Sequence, residues 1–180
     1  STIINEVVST RPSNIDGATE ILGGRADYIL ANPNGISING GEFIGTNNVT
    51  LTTGIPSLNS RGELEKLTIT DGEVHVHSRD LNVETQDYFE ILSRSAKINA
   101  NIYAGRNAKI IAGRNTYNAK TKEVTPITNS SSNSSGASQS IPNTGISIDA
   151  SMLGGLYAGK ITLLSTEDGV GINCSDVASQ

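Results

Sequence analysis

The 180 residues carry a net charge of −5, and the 13 basic residues are scattered and never adjacent, which excludes the clustered Lys and Arg of a nucleic-acid or anionic-membrane binder. One cysteine, Cys174, excludes an intrachain disulfide and a Cys-based zinc site, and no apolar run approaches the roughly 20 residues of a membrane-spanning helix. Aromatics make up 4% with no Trp, against 19 Gly, a balance that favours short strands, narrow layered cores of Ile, Leu, Val and Ala, and frequent tight turns.

The opening 1-STIINEVVSTRPS-13 has neither the basic start nor the apolar run of a signal peptide. It reads as strand, so residue 1 is expected to be a processing or truncation boundary. A chain without disulfides suits a reducing compartment, and equally an exported protein that crosses a membrane unfolded. The next informative stretch is 31-ANPNGISINGGEFIGTNNVTLTTG-54, with five Asn and five Gly between recurring apolar residues. Pro33 fixes φ for the second position of a tight turn and pushes Asn32 into extended geometry. Asn34 tolerates bridge or left-handed geometry, and Gly35 leaves the turn without a Cβ clash. Ile36 and Ile38 then enter one face of a strand, with Ser37 and Asn39 on the other. The Asn32 and Asn34 amides can tie down backbone groups at this corner.

Period-two alternation continues in 67-LTITDGEVHVH-77. Leu67 and Ile69 share a face; beyond the Asp71–Gly72 turn, Val74 and Val76 share one, with Glu73, His75 and His77 opposite. Two imidazoles and a carboxylate on one strand face could meet a metal, but the chain has no third His, and a solvated outer face is the expected reading. The window 84-ETQDYFEILSRSA-96 has weak helical periodicity; its strand-like flanks favour a strand. Asp80, Glu84, Asp87 and Glu90 form an acidic run, yet a glycan hydrolase or lyase needs its carboxylates side by side in space, and a charged edge or excursion is expected instead. No nucleophile elbow, P-loop or dinucleotide fingerprint is present.

Strand alternation resumes in 96-AKINANIYAGRNAKIIAGRN-115 and in 145-GISIDASMLGGLYAGKITLLS-165. IYAGRNAKII (102–111) is similar to LYAGKITLL (156–164). Repeated short strands with Asn and Gly corners predict a β-solenoid, of at most about nine coils at roughly 20 residues each. Between these stretches, 129-NSSSNSSGASQS-140 lacks apolar residues except Ala137 and is read as a flexible loop, with a glycosylated linker at Asn129 or Asn133 as the alternative. Cys174, in 169-GVGINCSDV-177, has no neighbouring base in sequence and reads as a structural thiol.

Residues 3–56, from IINEVVSTRPS through ANPNGISINGGEFIGTNNVTLTTGIP, resemble the two-partner secretion domain of filamentous haemagglutinin-like and contact-dependent inhibition exoproteins. Residues 72–115 and the block 153-LGGLYAGKITLLSTEDGVGIN-173 follow the same pattern in order. The resemblance implies an all-β fold, a right-handed parallel β-helix with small antiparallel excursions, spanning 1–180 as one domain. It implies a non-enzymatic secretion-recognition domain of a large adhesin, haemolysin or contact-dependent inhibition effector. The partner that the resemblance implies is an outer-membrane barrel transporter with POTRA domains, reached through the periplasm on the way to the cell surface. No cofactor or metal is implied. By the same resemblance, Asn32, Pro33, Asn34, Gly35 and Ile36 are expected to be the secretion motif, acting in partner recognition or in folding. The family's earlier N-terminal cap is expected to be missing ahead of residue 1, so an uncovered first coil would expose ladder groups and self-associate. A β-helix polysaccharide lyase or hydrolase is the alternative function.

Overall fold

A computed structural model describes residues 1–128, 146–168 and 170–179. Within these residues the chain winds into six coils stacked along one axis, and their strands form long parallel sheets. The first coil carries β1 (Thr2–Glu6), β2 (Ser13–Ile15) and β3 (Thr19–Glu20), and the second β4 (Ala26–Ala31), β5 (Ile36–Ile38) and β6 (Gly41–Ile44). The third starts at β7 (Thr46–Thr52), leaves the body as β8 (Ile55–Leu58) and β9 (Leu64–Ile69), and returns as β10 (Glu73–Val76) and β11 (Leu81–Val83). The fourth is β12 (Tyr88–Ser93), β13 (Ser95–Ile98) and β14 (Ile102–Ala104). The fifth runs through β15 (Asn107–Ala112), the outlying β16 (Asn115–Asn118) and β17 (Val124–Pro126), and the long β18 (Ile146–Ala158). β19 (Lys160–Ser165) and β20 (Gly171–Ser179) begin the sixth.

One parallel sheet has six strands in the order β1-β4-β7-β12-β15-β19. The other two faces merge into ten strands because β18 passes through both. A coil without an outlying segment, such as Ala26 to Thr46 or Tyr88 to Asn107, takes about 20 residues, the low end of the solenoid range. The window 84–96 holds the strand β12 and the start of β13, and no helix occurs among the described residues. The stretch 129–140 lies outside the described residues. The two similar segments are successive coils in register: Ile102 pairs with Leu156 and Tyr103 with Tyr157, and Ile110 pairs with Leu163.

The core is a set of inward rows, one residue per coil. Leu30 pairs with Leu51, Leu51 with Ile91 and Ile91 with Ile110; on the second face Ile36 pairs with Val74 and Val74 with Ala96. These side chains are buried in a single cluster, and each aliphatic one contributes about 1.5–3 kcal/mol. The same register puts polar residues outward, which is why alternation in the sequence maps directly onto inside and outside.

Four antiparallel strands in the order β17-β16-β9-β8 form a separate small sheet. Its Leu67, Ile69 and Tyr117 pack on Leu92 and Ile111, outward residues of the six-stranded sheet. Both of its edge strands carry a proline, Pro56 in β8 and Pro126 in β17, a residue that cannot donate to a further ladder. Tyr117 anchors this sheet: its hydroxyl donates to Glu90 Oε1 at 3.0 Å. Glu90 is 4% exposed, also receives Thr50 Oγ1 at 3.2 Å, and lies 3.5 Å from Lys109 Nζ.

Candidate recognition site at the NPNG corner

The motif residues form the corner between β4 and β5. The Gly35 amide donates to the Asn32 carbonyl at 3.1 Å, closing a four-residue turn. Gly35 has φ +111°, and a Cβ there would lie 3.1 Å from the Glu73 carbonyl oxygen of the next coil, so both backbone geometry and close approach call for glycine. The corner of the third coil packs against it: a Cβ on Gly72 would lie 2.7 Å from the Pro33 carbonyl oxygen. Ile36 enters the core at 2% exposure.

Asn32 is completely buried. Its Nδ2 donates to the Arg11 carbonyl and to Ser13 Oγ, each at 2.9 Å. Its Oδ1 accepts from the Asn34 backbone amide and from Asn34 Nδ2, each at 2.9 Å. Asn34 is exposed, yet its Nδ2 also donates to the Ser9 carbonyl at 2.6 Å. The two side chains therefore fasten the segment 9–13 of the first coil to the turn of the second. Pro33 is half-buried, so Pro33 and the outer side of Asn34 are the motif surfaces that meet solvent.

Ser9, Arg11 and Ser13 escaped the sequence reading as partners of the motif. A signal for them exists: Arg11 precedes Asn32 by 21 positions, one coil length. The same spacing recurs where Asn48 Nδ2 donates to Asp27 Oδ1 at 2.7 Å and where Asp80 Oδ1 accepts from the Asn101 amide at 3.0 Å.

The other candidate groups are not assembled into a reactive centre. His75 and His77 lie 4.8 Å apart between ring centroids, but His77 is hydrogen-bonded on both nitrogens, Nε2 to Ser37 Oγ at 2.7 Å and Nδ1 to Ser78 Oγ at 2.8 Å. His75 Nε2 is buried and has no hydrogen-bond partner. Burial holds the His75 pKa below the usual imidazole value, with Glu73 opposing and with His77 and Lys97 adding to the depression. Among the described residues no group of three or more His, Cys, Asp or Glu could hold a metal ion. The acidic run disperses: Asp80 caps Asn101, Asp87 pairs with Arg106 at 3.1 Å, Glu84 is exposed, and Glu90 is buried under the small sheet. Cys174 is a free thiol whose pKa is raised by burial and then by Asp149.

Comparison with known proteins matches the whole of this architecture. The family model described as the TPS secretion domain matches residues 1–180. The chain is 38% identical over 179 residues to the 16S rRNA endonuclease CdiA of Enterobacter cloacae subsp. cloacae, covering 97% of this chain and 5% of that protein. It is 36% identical over 179 residues to the tRNA nuclease CdiA-2 of Burkholderia pseudomallei, covering 99% of this chain and 5% of that one. The crystal structure of a filamentous hemagglutinin secretion domain superimposes with a TM-score of 0.85 at 33% identity, covering 99% of this chain and 59% of that one.

Proposed function

The chain belongs to the TPS secretion domain family, and on that premise we propose that it is the segment by which a large exoprotein engages its outer-membrane transporter. In this reading the POTRA domains of the transporter bind it in the periplasm, and its coils then fold at the cell surface and seed the coils that follow. The observation that carries the proposal is the stacked architecture itself. Nearly every coil rests on its immediate neighbour, so folding can propagate from one end as chain emerges. Since the chain spans about 5% of its curated relatives, the nuclease names of those proteins bring no nuclease activity to this segment. The dispersed carboxylates further support a domain that works by binding and folding. The relatives favour this reading over a polysaccharide lyase.

Within it, the NPNG corner acts by folding. Support comes from Asn32, whose amide is buried and occupied on both sides. A contact with the transporter is left to Pro33 and the rim of Asn34. The test pairs the purified chain with the periplasmic domains of the transporter encoded beside its gene. Saturable binding is expected, with none to POTRA domains of an unrelated barrel; no saturable binding at millimolar concentration refutes the proposal. For the corner, Asn34→Ile is expected to lower secretion in step with stability. Lost binding at wild-type stability would instead make the corner a contact.

A further inference from the structure

The small antiparallel sheet covers only part of the six-stranded sheet beneath it. It sits on the outward row containing Leu92 and Ile111; of the two outward rows beside it, the nearer is largely buried, with Ile29, Thr50 and Glu90, and the farther carries the exposed Tyr88. They form the floor of a groove of about 1320 Å³, whose wall is made by the tips joining β8 to β9 and β16 to β17. The first floor row is Thr2, Asp27, Asn48 and Tyr88, one residue from each of four stacked strands. Ile29, Thr50, Glu90 and Lys109 stand in the second. Neither the secretion reading nor the NPNG corner uses this surface.

Its chemistry is specific. Tyr88 is 46% exposed, an aromatic face with a hydroxyl tip in the same row as Thr2, Asp27 and Asn48. Asp27 and Asn48 are held together at 2.7 Å, a fixed carboxylate and amide. Asn59 and Asn118 line the wall. Acidic and basic side chains lining the groove are equal in number, four of each, and two of the pairs are already closed, Glu90 with Lys109 at 3.5 Å and Arg61 with Glu63 at 3.4 Å. A balanced groove offers no net attraction to a polyanion or polycation. It also presents a sheet face, whose backbone groups are spent in the ladder, so it does not invite an added peptide strand. A carboxylate, amide N–H groups, hydroxyls and one open ring are groups that recognise sugars; the amide oxygens of Asn59 and Asn118 already accept from their own turns. The strand repeat of about 4.8 Å is close to the length of one pyranose along a β-1,4 chain.

We propose that this groove binds a neutral oligosaccharide of about four units, lying along the helix axis with one ring on Tyr88 and hydroxyls on Asp27 and Asn48. The site binds without cleaving. The proposal is independent of the transporter assignment, and either can fail alone. The test titrates the 180-residue chain with cellotetraose, tetra-N-acetylchitotetraose and maltotetraose, with a heparin tetrasaccharide as anionic control, and follows backbone and Asn side-chain amide shifts. At least one neutral tetrasaccharide is expected to give saturable shifts at Asp27, Asn48, Tyr88 and Asn118. Tyr88→Ala and Asp27→Ala, each checked for an unchanged melting profile, should weaken that binding about ten-fold or more. Tyr103→Ala, on another face, should leave it intact. The proposal is overturned if none of the three neutral sugars saturates, if the shifts fall elsewhere, if only the heparin fragment binds, or if both groove variants bind like wild type.

Discussion

Replacing Asn32 with Ala removes four hydrogen bonds at once from a site with no solvent exposure. At about 1 kcal/mol net for each bond, the upper bound is about 4 kcal/mol. Arg11, Ser13 and Asn34 are wholly or partly exposed, so several of the released groups regain water, and about 2–3 kcal/mol is expected to remain. That is a large share of the roughly 5–15 kcal/mol that holds a domain folded. With a urea slope of about 2–3 kcal/mol per molar, the midpoint should fall by about 1 M. Asn34→Ala removes two bonds of an exposed side chain and should cost about 1 kcal/mol or less. Asn32→Asp is the sharper control. It keeps the acceptor toward Asn34 but turns a carboxylate oxygen toward the Arg11 carbonyl, so it should be at least as damaging as Ala. Hydrogen exchange should show the loss concentrated in residues 1–35, where the corner fastens one coil to the next. A midpoint shift no larger for Asn32→Ala than for Asn34→Ala would refute the reasoning, because burial and bond count would then not set the cost.

Tyr117→Phe withdraws one of the donors on Glu90 and should lower stability by about 1.5 kcal/mol, read from the melting temperature, since Thr50 and Lys109 remain. The Tyr117 pKa is raised far above the ordinary phenol value, by burial first and then by Glu90. Its contribution is therefore full below about pH 10 and lost as pH rises above it, because the unfolded phenol ionises first; Tyr117→Phe should flatten that alkaline loss. His75 has the opposite sense. Its depressed folded pKa means that the unfolded chain takes up the proton first, so stability should decline as pH falls below about 6.5. Melting temperatures from pH 7.5 to pH 5 should show this decline reduced in His75→Gln. The first coil exposes Val8 at 89% and Leu22 at 84%, and β1, β2 and β3 are edge strands; we propose that the 180-residue chain self-associates there, so sedimentation should show concentration-dependent dimers, and Val8→Lys with Leu22→Lys should return it to monomer.

Much of the fold was legible because inward and outward residues alternate along each strand. Ile36, Ile38, Val74 and Val76 read as one-sided strands and are core residues. The likeness of IYAG to LYAG is a register pairing between coils. The small sheet was harder to read. β9 and β16 pair Leu67 with Tyr117, fifty positions apart, and nothing local in either segment names the other. Glu90 was misleading for the same reason: in sequence it belongs to an acidic run, while in space the small sheet buries it. For NPNG the turn geometry was readable, but its inward bonding was not, because Asn32 reaches back a full coil to segments whose own composition is unremarkable.

The coil length has a mechanical consequence. One coil of about 20 residues corresponds to about 70 Å of fully extended chain, while stacking it lengthens the rod by about 4.8 Å. Winding thus reels in polypeptide about fifteen times faster than the object grows. The detours through β8 and β9 and through β16 and β17 steepen that ratio locally, and their proline-blocked edges keep the extra slack from being knitted sideways into a neighbour. A spool of this gearing converts small axial growth into long draws of thread.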